Sequence, residues 1–180
     1  MKHFFSLIAL TVLLSFSPSG DIYSVAVKAL DGNSLDLNQY KGKKVLFVVL
    51  SLSAEDTTVR ASQLAELQDK YRSTLVIVGV PSIEAGFKTA DADKLKGLYK
   101  DAHILISEGM NVNKGAQQSA LFQWLTHKEQ NRHFDQDVRG VGSKFFVDES
   151  GELYAVMGAN LTPAHPLMEK ILTKPQRKNP

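Results

Sequence analysis

The stretch that decides the fold is KKVLFVVLSLSAEDTTVRASQLAELQDKYRSTLVIVGV, residues 43–80. It opens with an unbroken apolar run, Val45 to Leu50, which is typical of a strand covered on both faces. Thr74 to Val80 is a second such run. Between them, apolar residues recur at helical spacing and predict a helix that packs on the sheet: Val59, Leu64, Leu67 and Tyr71. Strand, helix and strand within about 35 residues predict a βαβ unit with a right-handed crossover.

The polar link between the first strand and the helix is the expected functional site. It reads SLSAEDTT, residues 51–58. In open α/β sheets, ligands bind where the carboxyl end of a strand leads into a helix. We therefore expect the chemistry of this protein to centre on residues 51–58.

The rest of the chain predicts further strands and helices around this unit. Upstream, Tyr23 to Leu30 and Ser34 to Leu37 predict a hairpin around the turn Asp31-Gly32-Asn33. The downstream elements are a helix over Asp91–Lys100, a strand over His103–Ser107, a helix over Gln117–His127, a loop over Lys128–Gly142, strands over Lys144–Val147 and Glu152–Met157, and a final helix with Thr162 as N-cap and Pro163 at its first position. This order predicts an α/β fold with a mixed sheet, as in thioredoxin-like proteins.

The first residues have the pattern of a secretory signal peptide. A basic start, Lys2-His3, precedes the apolar run Phe4 to Phe16, and the small residues Ser17 and Ser19 follow. The run is shorter than the about 20 apolar residues that a membrane-spanning helix needs. We expect residues 1–19 to be removed. One domain, residues 20–180, would then be exported to the periplasm or secreted, with no attachment to a membrane.

Composition excludes several functional classes. The 180 residues contain 21 Lys plus Arg against 19 Asp plus Glu, so the chain lacks the basic excess that is typical of nucleic-acid-binding proteins. There is no cysteine. Disulfides, thiolate metal sites and thiol-based mechanisms are therefore excluded.

Several segments, taken together, resemble the glutathione peroxidase family. The segments and the family patterns that they resemble are the D-G-N hairpin of Ile22–Leu37, Leu37–Lys43 (L-x-x-Y-K-G-K), Gln63–Tyr71 (the first long helix), Asn111-Val112-Asn113 with Leu121-Phe122 (D-V-N-G … H-P-L-Y), and Ser143–Gly151 (T-K-F-L-V-D-x-x-G). They occur in the family's order and cover most of the chain after residue 20. The resemblance implies a thioredoxin-like fold of the glutathione peroxidase type, with a mixed sheet flanked by helices.

The resemblance also shows what this chain has lost. The family reduces hydroperoxides with a peroxidatic cysteine or selenocysteine, assisted by glutamine, tryptophan and asparagine side chains. The nucleophile's position falls on Glu55 and that of the glutamine on Glu84. The tryptophan and asparagine positions fall on Gly140 and Val141. All four functional residues are replaced, while the surrounding scaffold is kept.

Residue chemistry agrees with this loss. Thiol-dependent peroxide reduction needs a sulfur or selenium nucleophile that accepts oxygen and is then reduced again. Neither a carboxylate nor a serine hydroxyl can do this. The leading hypothesis is a binding or interaction module for an unknown protein or small-molecule ligand, with no cofactor. The alternative is a metal-binding or acid/base site rebuilt from the oxygen ligands of Glu55 and Glu84.

Two carboxylates facing each other across the former active site would need relief from repulsion, which is about 3 kcal/mol at roughly 5 Å and an effective dielectric near 20. A shared proton would make Glu55 and Glu84 titrate as a unit. A divalent cation such as calcium or magnesium would instead use the carboxylates of Glu55 and Glu84 as its ligands, with the Ser53 or Ser82 hydroxyl nearby. A third possibility is that Arg60 or Lys144 neutralises one carboxylate, or that both point into solvent.

Three other features have simple interpretations. Asp56 or Thr57 is expected to cap the following helix. His127 and His133 lack a third patterned ligand, so we expect surface residues rather than a metal site. No G-x-S-x-G segment occurs, which argues against a hydrolase triad.

Overall fold

The computed structural model describes residues 21–175. The expected signal peptide, residues 1–19, lies outside the described residues. No helix within residues 21–175 has the length and apolar character needed to cross a membrane.

A five-stranded mixed sheet forms the centre of the domain. The strands are β1 (Lys44–Leu50), β2 (Leu75–Pro81), β3 (Leu105–Ile106), β4 (Lys144–Val147) and β5 (Leu153–Met157), and their spatial order is β3-β2-β1-β4-β5. β1 and β3 both pair with β2 in parallel, whereas β4 is antiparallel to β1 and β5 is antiparallel to β4. The helices are α1 (Ala61–Lys70), α2 (Ala92–Tyr99), α3 (Ala120–Thr126), α4 (Lys128–Asn131) and α5 (Pro166–Leu172). The α/β class with a mixed sheet is as predicted.

Every residue of β1 is buried, because helices cover both faces of the sheet. Val45, Phe47 and Val49 point to one face, where α3 packs with Phe122 and Leu125. The alternate residues point to the other face and join a second cluster built from α1, α2 and α5: Leu46, Val48, Leu50, Leu64, Leu67, Leu95, Tyr99, Met168 and Leu172. Two-sided burial explains why the strand is an unbroken apolar run rather than an alternating one.

The expected N-terminal hairpin is present but shorter than predicted. Lys28 bridges Ser34 in antiparallel orientation, the Ala29 N–H donates to the Asn33 carbonyl and the Leu35 N–H donates to the Val27 carbonyl. Residues 22–24 form a 3₁₀ turn instead of a strand. The chain after this turn pairs with the sheet edge: the Leu30 N–H donates to the Ile106 carbonyl at 2.9 Å. The D-G-N turn joins the two arms of this short hairpin, and the N-terminal arm also covers the two-residue edge strand β3.

The expected start of the last helix is also wrong. α5 begins at Pro166, and His165 is its N-cap, whose Nδ1 accepts the Leu167 N–H at 3.2 Å. A proline disfavours helical geometry in the residue before it, so Pro166 forces His165 into the extended conformation seen, with φ −67° and ψ 137°. A helix that ran from Pro163 through His165 would violate this restriction. Thr162 therefore precedes the helix by a full turn.

The loop predicted over Lys128–Gly142 contains one short helix. α4 ends at Asn131, and Arg132, which caps it, has a left-handed backbone with φ 67°. The buried Asn131 stabilises this turn, because its Oδ1 accepts the N–H groups of His133 and Phe134. The rest of the segment is irregular, as expected.

The side chain of Gln68 completes the hydrogen bonding of β2. β3 pairs only with Val78 and Gly79, so the outward backbone groups of β2 upstream of these residues have no strand beside them. Gln68 lies on α1 and is buried. Its Nε2 donates to the Leu75 carbonyl, and its Oε1 accepts the Ile77 N–H, both at 2.9 Å.

We expect Gln68→Leu to lower the free energy of unfolding by about 2–4 kcal/mol, because it leaves two buried backbone groups unpaired at about 1–3 kcal/mol each. Urea denaturation of the variant measures this. Gln39→Leu, at an exposed position, is the matched control and should stay within about 0.5 kcal/mol of the parent. Equal losses in the two variants would show that Gln68 has no such role.

Candidate functional site

Three loops meet at the edge of the sheet that is formed by the carboxyl ends of the parallel strands β1 and β2. The ends of the parallel strands β1 and β2 lie side by side, with Leu50 opposite Pro81. The antiparallel β4 starts at the same edge, because the Val49 N–H donates to the Ser143 carbonyl and the Gly142 N–H donates back to the Val49 carbonyl. The loops 51–58, 82–87 and 139–143 therefore project from this edge. They carry the positions singled out from the sequence: Glu55, Glu84, Gly140 and Val141.

Glu55 is an exposed side chain in the first of these loops. Its backbone N–H donates to the Ser53 hydroxyl at 3.2 Å. Within residues 21–175, no hydrogen bond or ion pair holds its carboxylate. At the position where the family resemblance places the nucleophile, the chain thus presents a solvated carboxylate.

Glu84 has hydrogen-bond donors of its own. Its carboxylate accepts the backbone N–H groups of Val112 and Asn113, at 3.0 and 2.9 Å, and the Ser82 hydroxyl at 3.0 Å. Partial burial would raise the pKa of Glu84, but the N–H groups of Asn113 and Val112 outweigh it and hold the pKa below its usual value. This carboxylate fastens the loop after β2 to residues 112–113.

The rebuilt site suggested by the sequence has no contact between its two carboxylates. Glu55 and Glu84 share no hydrogen bond in the described part of the chain, and Arg60 and Lys144 form no ion pair with either. Residues 21–175 also hold no group of three or more His, Cys, Asp or Glu side chains arranged for a metal ion. The satisfied carboxylate of Glu84 favours an anchoring role for this residue over a ligand role.

Asp56 is the half-buried acidic residue of loop 51–58. Its Oδ1 accepts the Thr58 N–H at 2.8 Å and the Thr58 hydroxyl at 2.6 Å. Burial acts to raise the pKa of Asp56, but Thr58, the Ser51 hydroxyl and the Lys144 ammonium together hold it below its usual value. The expectation that Asp56 or Thr57 caps α1 is wrong: Arg60 is the N-cap, and no side chain caps it. Asp56 instead closes its own turn.

Lys144 is the functional candidate that sequence reasoning underrated. It lies on β4 with 0% of its surface exposed, and its ammonium donates to the Gly142 carbonyl at 2.6 Å. Burial lowers the pKa of Lys144 to about 8, and the charge of Asp56 opposes this shift. A lysine inside the apolar strand Lys144–Val147 was the available signal. The carbonyl that accepts from its ammonium, that of Gly142, could not be identified without the fold.

Gly140 and Val141 provide no polar side chain to the edge. Gly140 has φ +87°, a left-handed backbone that glycine adopts freely. Val141 is half-buried and packs against both apolar clusters. Next to them, Gly142 lies so close to loop 51–58 that a Cβ there would be 3.0 Å from the Thr58 hydroxyl. The two loops therefore pack directly on each other.

A cavity of about 330 Å³ opens beside loop 51–58. Its walls are Ser53 and Asp56 from the loop, Arg60 at the start of α1, and Leu98 and Tyr99 from α2. The Tyr99 hydroxyl accepts the Ser51 N–H at 3.2 Å and lies within hydrogen-bond distance of the Ser51 and Val59 carbonyls, at 3.2 and 3.3 Å, and so ties α2 to both ends of the loop. Polar and apolar side chains both line this cavity, and Asp56 and Arg60 supply its charged groups.

The two histidines weighed as metal ligands have separate partners. The His127 Nδ1 lies 3.1 Å from the Thr126 hydroxyl and from the Gln123 carbonyl, both on its own helix. The His133 Nε2 lies 3.5 Å from a carboxylate oxygen of Glu152 at the start of β5. Neither belongs to a three-residue metal cluster among the residues that the structure describes.

Known proteins resemble this chain in both sequence and fold. A family model described as "Glutathione peroxidase" matches residues 22–126, more than half of the chain. A "Probable phospholipid hydroperoxide glutathione peroxidase" of Nicotiana sylvestris is 28% identical over 159 residues, covering 85% of this chain and 91% of the relative. "Glutathione peroxidase 1" of Caenorhabditis elegans is 27% identical over 152 residues, covering 79% and 89%.

Solved structures support the same fold. The crystal structure titled T. cruzi GPX1 superposes with a TM-score of 0.64 at 19% identity, and the match covers 85% of this chain and 94% of that chain. The predicted fold, a thioredoxin-like mixed sheet of the glutathione peroxidase type, is thereby confirmed.

Lys144 gives a testable pH dependence. Its pKa is about 8 in the folded chain against 10.5 in a free lysine, so between these values the unfolded chain binds more protons than the folded one. Stability must therefore rise with pH across this window, by at most about 1.4 kcal/mol per pH unit.

We expect this rise in urea denaturation from about pH 8 to about pH 10.5, relative to Lys144→Met, which has no titrating amine in this window. The exposed Lys94→Met is the control and should keep the rise. Parallel curves for the parent and Lys144→Met would mean that the amine titrates at its ordinary value.

Proposed function

Because the chain belongs to the glutathione peroxidase family but contains no cysteine, we propose that it is an exported protein that has lost thiol peroxidase activity and acts as a binding or interaction module. The missing sulfur is the observation that carries the proposal. Peroxide reduction in such proteins passes through oxidation of a thiolate or selenolate, for which carboxylates and hydroxyls offer no substitute. Export rests on the basic and then apolar pattern of residues 1–19.

The edge of the sheet still has the features of a binding site. It carries the cavity beside loop 51–58, with the charged groups Asp56 and Arg60 in its walls. In α/β sheets, ligands bind at this edge for reasons of topology, and loss of catalytic residues leaves that topology intact. A protein or small-molecule ligand at these loops is therefore the best-supported function.

A rebuilt oxygen-ligand site at Glu55 and Glu84 is the second candidate. This candidate is suggested by the presence of a carboxylate at each of two positions where the family resemblance places active-site residues. The hydrogen bonds that Glu84 already accepts from Val112, Asn113 and Ser82 weigh against it, because a cation would have to displace them.

One NMR experiment separates the two candidates. Protein that begins at Gly20 is screened with glutathione, a small-molecule panel and, separately, calcium and magnesium. We expect metal ions to leave the signals of Glu55 and Glu84 unchanged, and any bound compound to shift amides of loops 51–58 and 139–143. Metal-dependent shifts centred on Glu55 and Glu84 would favour the rebuilt site, and ligand shifts confined to the opposite edge would contradict the binding site.

Restoring the thiol alone should fail. We expect Glu55→Cys to consume hydroperoxide far more slowly than the Nicotiana sylvestris relative assayed beside it. Glu84 remains committed to residues 112–113, and Gly140 and Val141 offer no side-chain hydrogen-bond donor. A thiolate without preorganised partners lacks most of the transition-state stabilisation. Glu55→Ser is the matched control, and rates equal to the relative's would show that the missing partners matter little.

A further inference from the structure

A second cavity lies at the opposite edge of the sheet, where β1 begins and β4 ends. Its volume of about 220 Å³ exceeds several-fold the roughly 30 Å³ that one water molecule occupies in the liquid, so it has room for a small organic molecule. Its walls include Lys44 of β1, Asp148 after β4, Glu152 and Tyr154 around the start of β5, and Phe134 after α4. We call it the Asp148 cavity.

Asp148 is a buried carboxylate whose hydrogen bonding is incomplete. Only 7% of its surface is exposed. Its Oδ1 accepts the N–H groups of Ser150 and Glu152, at 2.9 and 3.0 Å, and the Ser150 hydroxyl at 2.6 Å. Among residues 21–175, Oδ2 has no hydrogen-bond partner and Asp148 forms no ion pair, yet Oδ2 is not fully enclosed by protein. A buried charge is costly unless it is paired, so this oxygen is an acceptor that a ligand could use.

The lysine in the wall of the cavity is paired with a different carboxylate. The Lys44 ammonium donates to Glu149 at 2.8 Å and to the Lys174 carbonyl at 3.0 Å. Lys44 is 6% exposed, so these contacts hold its charge inside the protein. The same ammonium lies 6.0 Å from the centre of the Tyr154 ring, which shows that this ring accommodates a cation. Glu149 therefore compensates Lys44, and Asp148 stays without a cation of its own.

Glu152 supplies a second carboxylate to the Asp148 cavity. It is half-exposed, and one of its oxygens lies 3.5 Å from the His133 Nε2, a partner that carries a charge only when protonated. The buried Asn131 fixes the segment on this side, because its Oδ1 accepts the N–H groups of His133 and Phe134, at 2.8 and 2.7 Å. The Phe134 ring is thus held in the wall that also contains the two carboxylates.

Two carboxylates beside two aromatic rings favour a positively charged organic ligand, because neither Asp148 nor Glu152 has a Lys or Arg partner in the described part of the chain. An ammonium donates strong hydrogen bonds to carboxylates, and it is attracted to aromatic faces. A metal ion fits less well, since residues 21–175 hold no group of three or more His, Cys, Asp or Glu arranged for one. We propose that the Asp148 cavity binds a small primary amine, with its ammonium on Asp148 and Glu152 and its apolar part against Phe134 and Tyr154.

This inference goes beyond the proposed function. The Asp148 cavity shares no lining residue with the cavity beside loop 51–58. Amine binding in the Asp148 cavity and ligand binding at loops 51–58 and 139–143 are therefore read from different signals. Both hold if amines shift the first set of signals and another compound shifts the second, and either can fail alone.

Phenethylamine is a suitable probe, because it joins a primary ammonium to an aromatic ring. It is titrated at neutral pH into protein that begins at Gly20, and the NMR signals of backbone amides and aromatic rings are followed. We expect saturable shifts at Phe134, Glu152 and Tyr154, with loop 51–58 unchanged. Phenylpropanoate has a similar shape and the opposite charge, so it is the matched control ligand and should leave these signals in place.

A lysine side chain of a protein partner would present the same ammonium. Nα-acetyllysine amide distinguishes this source, because it carries the ammonium on a flexible chain without a ring. We expect it to bind more weakly than phenethylamine. Tighter binding of the lysine derivative would contradict the assignment to a small amine.

Two variants assign the binding to the carboxylates. Glu152→Gln should weaken phenethylamine binding by roughly threefold, as expected for one partly exposed charge pair. Asp148→Asn should weaken it by roughly tenfold, because a hydrogen bond to a buried charge is lost. Glu66→Gln removes one exposed negative charge outside the cavity and should bind as the parent does.

Three results would overturn the proposal. They are the absence of saturable shifts at Phe134 and Tyr154, equal binding of phenylpropanoate, and variants that bind phenethylamine as tightly as the parent. Glu152 is half-exposed, so Glu152→Gln leaves the core untouched and remains informative even if Asp148→Asn does not fold.

Discussion

The structure depends on the two-sided pairing of β1. This strand forms parallel hydrogen bonds with β2 and antiparallel hydrogen bonds with β4, and both of its faces are buried. Pairing of this kind fixes the ends of three strands at one edge, which brings loops 51–58, 82–87 and 139–143 together. The apolar residues of β1 thus determine where any site in this fold must lie, whatever side chains the loops carry.

At that edge, polar side chains hold the loops in place. Glu84 binds the N–H groups of residues 112–113, and Asp56 binds Thr58 while it compensates the buried charge of Lys144. An uncompensated buried ammonium would be costly, so the acidic residue beside Lys144 has a clear physical role. The outcome is an ordered edge that is built without a cysteine.

Much of this architecture could be predicted from the sequence, because long apolar runs such as Val45–Leu50 allow few alternatives. The errors have different causes. The N-terminal arm of the hairpin is shorter than predicted and also pairs with the segment around β3, which is a distant contact. Pro166 acts locally, because it restricts the backbone of His165 and so shifts the start of the last helix away from Thr162. The site positions came from the family resemblance, but the contact between Val112–Asn113 and the Glu84 carboxylate joins residues far apart in the chain and only appears in three dimensions.

We propose that a glutathione peroxidase fold persists in this protein without peroxidase chemistry. The most direct measurement is hydroperoxide consumption by metal-free, tag-free protein, with hydrogen peroxide and a lipid hydroperoxide, supplied with glutathione or with thioredoxin. We expect a rate equal to that of buffer with each substrate and reductant. Sustained turnover that scales with protein concentration would contradict it, since no residue of this chain offers a reversible oxidation step of the required kind.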